Sequence, residues 1–227
     1  MSATTAKPFR VVLLGPPASG KGTQGRRLAA SLGLAYLSTG ALLREQVEAG
    51  TALGKQAQPI LARGEYLPAE LMNPILAEWL TRHPAGWVLD GFPRSVAQAV
   101  FLDDWLAHRS LKINIAISLE VPFEILLARI AARVECPSCR WSGQRPQLLA
   151  SDNCPACGGL AGPRADDSEQ NFRSRHAEFV NLTQPVIEHY RHLKLLSPCD
   201  ATAPEAEVAA RLLRLLPLEN SVLTSLL

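Results

Sequence analysis

Residues 9–33 read FRVVLLGPPASGKGTQGRRLAASLG. The opening FRVVLLG is an almost unbroken apolar run that stops at glycine, the pattern of a parallel strand buried on both faces. The segment from Lys21 to Gly33 has helical spacing and ends on a glycine stop. Between them, GPPASGKGT at 15–23 must turn the chain sharply. Strand, glycine loop and helix in succession aim backbone N–H groups and the positive end of a helix dipole at one spot, which suits a polyphosphate. Lys21 adds a point charge there. A tight turn without a ligand is the alternative, but it leaves a lysine flanked by Gly20 and Gly22 unexplained. The general phosphate loop, G-x-x-x-x-G-K-[ST], has a hydroxyl straight after its lysine. Here Gly22 takes that place, and Thr23 comes one residue late.

The rest of the chain extends this start into an α/β fold. WVLDG, INIAISLEV and LKLLSP read as further buried strands, with LAYLS as a short one. SVAQAVFLDDWLAHR and PFEILLARIAARV read as helices between them. The alternation predicts a parallel five-stranded sheet flanked by helices, with right-handed crossovers. Two segments interrupt it. Residues 38–67, continuing to about 82, form a helical block. Residues 133–167 are rich in Cys, Pro, Gly and Arg, show no helix or strand period, and read as a small loop-built insert. The run from Asp166 to Leu193 predicts a long helix with Pro185 as a kink or break.

Composition narrows the function. The chain has 227 residues, 47% of them apolar, and a formal net charge of +2. That fits one sizeable domain with inserts and excludes a disordered tail or a strongly basic nucleic-acid binder. No apolar run reaches membrane-spanning length, and the polar start MSATTAKPFR carries no secretory pattern, so a cytoplasmic location is expected. Cys136-Pro-Ser-Cys139 and Cys154-Pro-Ala-Cys157 lie fourteen residues apart. Two such pairs offer four thiolates to a structural zinc ion. Iron is the alternative on spacing alone, and a nucleic-acid-binding zinc ribbon is the alternative for the insert. Cys199, in KLLSPCD, reads as a buried inert thiol.

GPPASGKGTQ resembles the loop of adenylate kinases and related nucleoside monophosphate kinases, in which glycine and then threonine follow the lysine. The resemblance spans about residues 8 to 216. It implies that Ala18, Ser19, Gly20, Lys21, Gly22 and Thr23 hold ATP. Ala18 replaces a glycine common in the family, which alanine can do where φ is negative. STGALLR (38–44) is similar to the segment opening the monophosphate-binding insert, so Thr39 would lie beside the acceptor base and Arg44 would hold its phosphate. Ala41 stands where the family often has an aspartate that helps order water around magnesium, which implies a weaker magnesium dependence or rate. GEYLP (64–68) resembles the backbone that closes over the base, implicating Glu65, Tyr66 and Leu67.

In VLDGFPRSVAQA, Asp90 would hold Mg2+ through water. Gly91, Phe92, Pro93 and Arg94 would form the acceptor site, with Arg94 on its phosphate, and Gln98 would offer its amide to adenine. The insert occupies the place of the family's zinc-bearing lid. Arg129 and Arg133, read as sharing a helix face, would contact donor phosphates, as would backbone near Ser142 and Gly143. Arg164 and Arg175 would bridge to the acceptor and the transferring phosphoryl group, and Asp166 and Asp167 would pair with arginines or hinge the lid. The catalytic set implied is Lys21, Arg94, Arg133, Arg164 and Arg175. The expected substrates are ATP, AMP and ADP. No nucleic-acid or membrane partner is expected, and the chain is expected to be a monomer.

Overall fold

The computed structural model describes residues 9–164 and 167–218. The chain runs β1 (Phe9–Leu14), α1 (Lys21–Leu32), β2 (Ala35–Ser38), α2 (Thr39–Glu48), α3 (Ala52–Ala62), α4 (Ala69–Arg82), β3 (Gly86–Asp90), α5 (Val96–Ala107), β4 (Ile115–Glu120) and α6 (Phe123–Ala132). Then follow β5 (Arg133–Glu135), β6 (Ser142–Gln144), β7 (Gly162–Pro163), α7 (Glu169–Glu178), α8 (Gln184–His192), β8 (Leu196–Asp200) and α9 (Glu205–Leu215).

β2, β3, β1, β4 and β8 form one parallel sheet in that spatial order, as expected. Every residue of β1 and β3 is buried. One face carries a core built on Trp87, Leu89, Phe92, Leu102 and Tyr190. On the other face, Val11, Leu13, Val88 and Ile117 pack with Leu28 of α1 and Leu212 of α9. The helix after β1 thus covers one face and the helix after β3 the other. Adjacent strands whose connections diverge leave a crevice at their carboxyl ends, where α/β sheets bind ligands. Register places Asp90 beside Leu13 on one side and Ser38 on the other, at that edge.

Two expectations are corrected. The insert is not wholly loop-built: β5 pairs antiparallel with β6 and β7 in a second, three-stranded sheet. Strands of two or three residues are too short to show a period. Arg133 does not share a helix face with Arg129. α6 stops at Ala132, and Arg133 turns extended (φ −72°, ψ 136°) to pair with Gln144.

Near Pro185, a π-helical turn at Phe179–Thr183 joins α7 to α8, widening the ladder before the residue that has no N–H to give. Cys199 is buried on β8, and burial pushes its thiol up. Among the described residues, no helix is long and apolar enough to cross a membrane.

Candidate active site

A cleft of about 620 Å3 opens at the carboxyl edge of the sheet, a size suited to small-molecule binding. Its floor is the phosphate loop. Gly20 has φ 95°, and no side chain among the described residues caps α1, which leaves the first N–H groups of the helix to a ligand. Lys21 donates to the Gly15 and Pro16 carbonyls at 2.7 and 2.8 Å. Burial lowers its ammonium to about 8. The Asp90 carboxylate opposes that shift, and Arg94, Arg175 and Arg133 reinforce it.

Ala18 departs from expectation, with φ at +64°. A left-handed alanine costs roughly 1–2 kcal/mol, and its partial packing against Leu126, Ile130 and Phe172 accompanies that cost. A β-branched residue fits this conformation far worse. Ala18→Val should therefore lose about 2 kcal/mol and melt about 4–8 °C lower, while Ala18→Gly melts close to the parent. Equal melting of the valine and glycine variants would count against a left-handed residue 18.

The turn after β3 is fastened from several directions. Gly91 has φ 80°, and a Cβ there would fall 2.7 Å from Thr39 Oγ1 and 2.8 Å from an Arg94 nitrogen. The Thr39 hydroxyl donates to the Gly91 carbonyl at 2.7 Å, so it secures the turn. Arg94 Nε donates to the same carbonyl, and its guanidinium lies 4.2 Å from the centre of the Tyr66 ring. Phe92 anchors the turn in the core, and Pro93 lines the cleft.

Buried Gln98 accepts from the Arg94 N–H at 2.8 Å and donates to the Leu67 carbonyl at 3.2 Å. Each end of its amide keeps one further bonding site. Glu65 pairs with Arg63 at the surface instead of facing inward.

Asp90 Oδ2 accepts from the Tyr36 hydroxyl at 2.8 Å. Burial and the Asp90 charge both raise the Tyr36 phenol above its ordinary range, so it remains a donor. Asp90 faces the cleft beside Gly22 and Thr23, and its carboxylate is the oxygen chemistry that a hydrated Mg2+ takes.

The cationic wall is assembled by anions. Asp167 takes a bidentate pair from Arg133 and lies 3.8 Å from Arg164 and 3.9 Å from Arg175. Asp166 lies outside the described residues. Glu135, which sequence reasoning missed, sits 3.3 Å from Arg164 and 3.9 Å from Arg44. Arg140 joins β5's segment to Glu48 on α2. Arg129 donates to the Ala201 carbonyl at 2.8 Å, bracing the loop after β8. That loop, Ala201–Pro204, lines the cleft with Ser142 and Gly143. Its place at the carboxyl end of a strand was the available signal for it.

The four cysteine sulfurs lie within 4.8 Å of one another, with Cys136–Cys157 and Cys139–Cys154 both at 3.6 Å. A tetrahedron of about 2.3 Å Zn–S bonds has edges of about 3.8 Å, so the donor set fits zinc. The two knuckles repeat one design. Cys136 N bonds Trp141 O, and Cys154 N bonds Gly159 O; Arg140 N and Gly158 N return to the first cysteine's carbonyl in each. Hydrogen bonds from the backbone of Cys139 and Ser138 pull the Cys136 thiol down. At Cys139, against a backbone bond from Trp141, the Cys157 and Cys154 sulfurs push the thiol up. A thiolate favoured at one sulfur is thus disfavoured at its neighbour.

Comparison with known proteins agrees with this geometry. A family model described as adenylate kinase matches residues 13–195. Proteins named adenylate kinase are similar along nearly their whole length. The one from Thermodesulfovibrio yellowstonii is 38% identical over 88% of this chain and 95% of its own. That from Archaeoglobus fulgidus is 39% identical over 86% and 91%, and that from Paracoccus denitrificans 35% over 92% and 97%. A phosphate loop, an arginine-walled cleft and a four-cysteine insert occur here together with a match of that extent: the chain belongs to the adenylate kinase family and is a nucleoside monophosphate kinase.

Proposed function

We propose that the protein transfers the terminal phosphoryl group of MgATP reversibly to AMP, giving two ADP, and so helps balance the adenine nucleotides. One observation carries this reading. Lys21, Arg44, Arg94, Arg133, Arg164 and Arg175 all line one cleft, drawn from the phosphate loop, α2, the turn after β3, the cysteine-bearing segment and α7. Phosphoryl transfer asks chiefly for two phosphates held in line, their charge neutralised and water kept out. In this reading the phosphate loop, with Ser19, Gly20 and Lys21, holds the donor chain. Arg44 and Arg94 grip the acceptor phosphate, which guanidinium forks suit.

Residues 38–67 act as the acceptor insert and 133–167 as a lid. Arg133, Arg164 and Arg175, already gathered on Asp167, bring charge to the transferring group when the lid closes. Magnesium, carried through water by Asp90, would neutralise donor oxygens; zinc would hold the lid's four thiolates together. The Leu67 carbonyl and the remaining bonding sites of Gln98 suit an adenine edge.

A second reading keeps the binding and loses the rate, as a nucleotide sensor, and Ala41 is the observation that favours it. Transfer to UMP, CMP or GMP is the variant within the same enzyme class. A coupled assay of ADP formation from ATP with each monophosphate, with and without magnesium, separates the three. Turnover with AMP is expected, and binding of AMP without turnover would point to the sensor. Arg44→Met should raise KM for AMP about tenfold or more, the loss of a charged hydrogen bond, with KM for ATP nearly unchanged.

A further inference from the structure

Tyr36 has no part in the reading above, yet it touches the centre of it. It lies on β2, and its phenol is 2.8 Å from Asp90 Oδ2 and 3.4 Å from the Gly22 carbonyl. The shorter and stronger bond goes to the carboxylate. Gly22, Ala41 and Asp90 line the cleft, whereas Tyr36 does not. A Cβ at Gly22 would lie 3.6 Å from Asp90 Oδ2 and 3.8 Å from the Tyr36 oxygen. The position where a general phosphate loop carries its metal-directed hydroxyl therefore abuts a phenol already bonded to the carboxylate. Ser38, on the same face of β2, accepts from the Ala41 N–H and starts α2 there. Ala41 lines the same cleft as Asp90 with only a methyl group.

We propose that Tyr36 is a positioning residue for the metal: by holding one oxygen of Asp90, it presents the other to the water around magnesium and supplies order that residue 41 does not. A carboxylate without such a tether can rotate, and tethers of this kind tune metal affinity without touching the ion. The inference rests on the reading of Asp90 as the magnesium-bearing residue.

Isothermal titration of ATP into the full chain, with and without magnesium, tests it. Tyr36→Phe keeps the ring volume. It is expected to bind metal-free ATP within about twofold of the parent, while the affinity gained on adding magnesium falls about tenfold. Ala41→Asp placed in the Tyr36→Phe background recovers part of that gain. Equal weakening with and without magnesium marks a structural role and overturns the proposal, as does an unchanged gain or a failure of Ala41→Asp to recover any of it. Asp90→Asn separates the two levels. If it keeps the full magnesium gain, the reading of Asp90 falls. If it loses the gain and Tyr36→Phe does not, the positioning role alone falls.

Discussion

Lys21→Met is expected to lose at least about a hundredfold in turnover and yet to melt higher than the parent at neutral pH in the absence of nucleotide. The first effect follows from removing a fixed positive charge aimed at developing phosphate charge, which costs on the order of 3 kcal/mol or more at preorganised sites. The second follows from burial. The Lys21 ammonium is pulled to about 8, while an unfolded lysine titrates near 10.4. Between those values the unfolded chain holds more protons, so stability of the ligand-free protein rises with pH across that window. The penalty is present in full below pH 8 and is gone above about 10.4.

Methionine removes the penalty, so the stability difference between variant and parent should be largest below pH 8 and should shrink as pH climbs. Melting both proteins from pH 7 to 10 measures it, and a difference that stays constant with pH would contradict it. In the parent, kcat/KM for ATP should fall on a basic limb near pH 8, where the free enzyme's lysine deprotonates. Normal turnover by Lys21→Met would remove Lys21 from the reaction altogether.

Metal removal is expected to act in the opposite sense. The cysteine-bearing segment has little core of its own: besides Val134 on β5, its apolar cluster is Cys136, Cys154 and Ala161, with Trp141 and Leu148 packed on them. A metal that links four thiolates across 22 residues of chain, Cys136 to Cys157, would therefore supply most of its cohesion. Stripping it, or making Cys139→Ser, should cost about 3 kcal/mol or more and lower the melting temperature by about 6–12 °C. Turnover at low temperature should change much less, because no sulfur is asked to touch substrate. A melt left unchanged after verified metal loss would rule out a structural metal.

The phosphate loop shows how far local pattern reaches. Its residues were legible because strand, glycines, lysine and helix lie within 25 consecutive residues, and each carries a short-range signature. Ala18 shows where that stops. Its identity was plain, but its positive φ follows from how the loop is held between β1 and α1. Arg133 is similar: four residues after Arg129, it matched a helical spacing, yet pairing with Gln144 drew it into a strand.

The amino-acid sequence by itself determined the parallel sheet, its order of elements, the phosphate-binding loop, the four metal-ready cysteines and the arginines available to the cleft. These follow from runs and spacings that act over a few residues, where propensity and periodicity dominate. Only the tertiary structure decided the partners. Asp167 gathers Arg133 from 34 positions away, Tyr36 reaches Asp90 across 54, and Arg129 braces Ala201 across 72. Such pairs carry no local pattern. They form because burial around the cleft makes an unpaired charge or polar group costly, and only the folded chain brings its partner within reach.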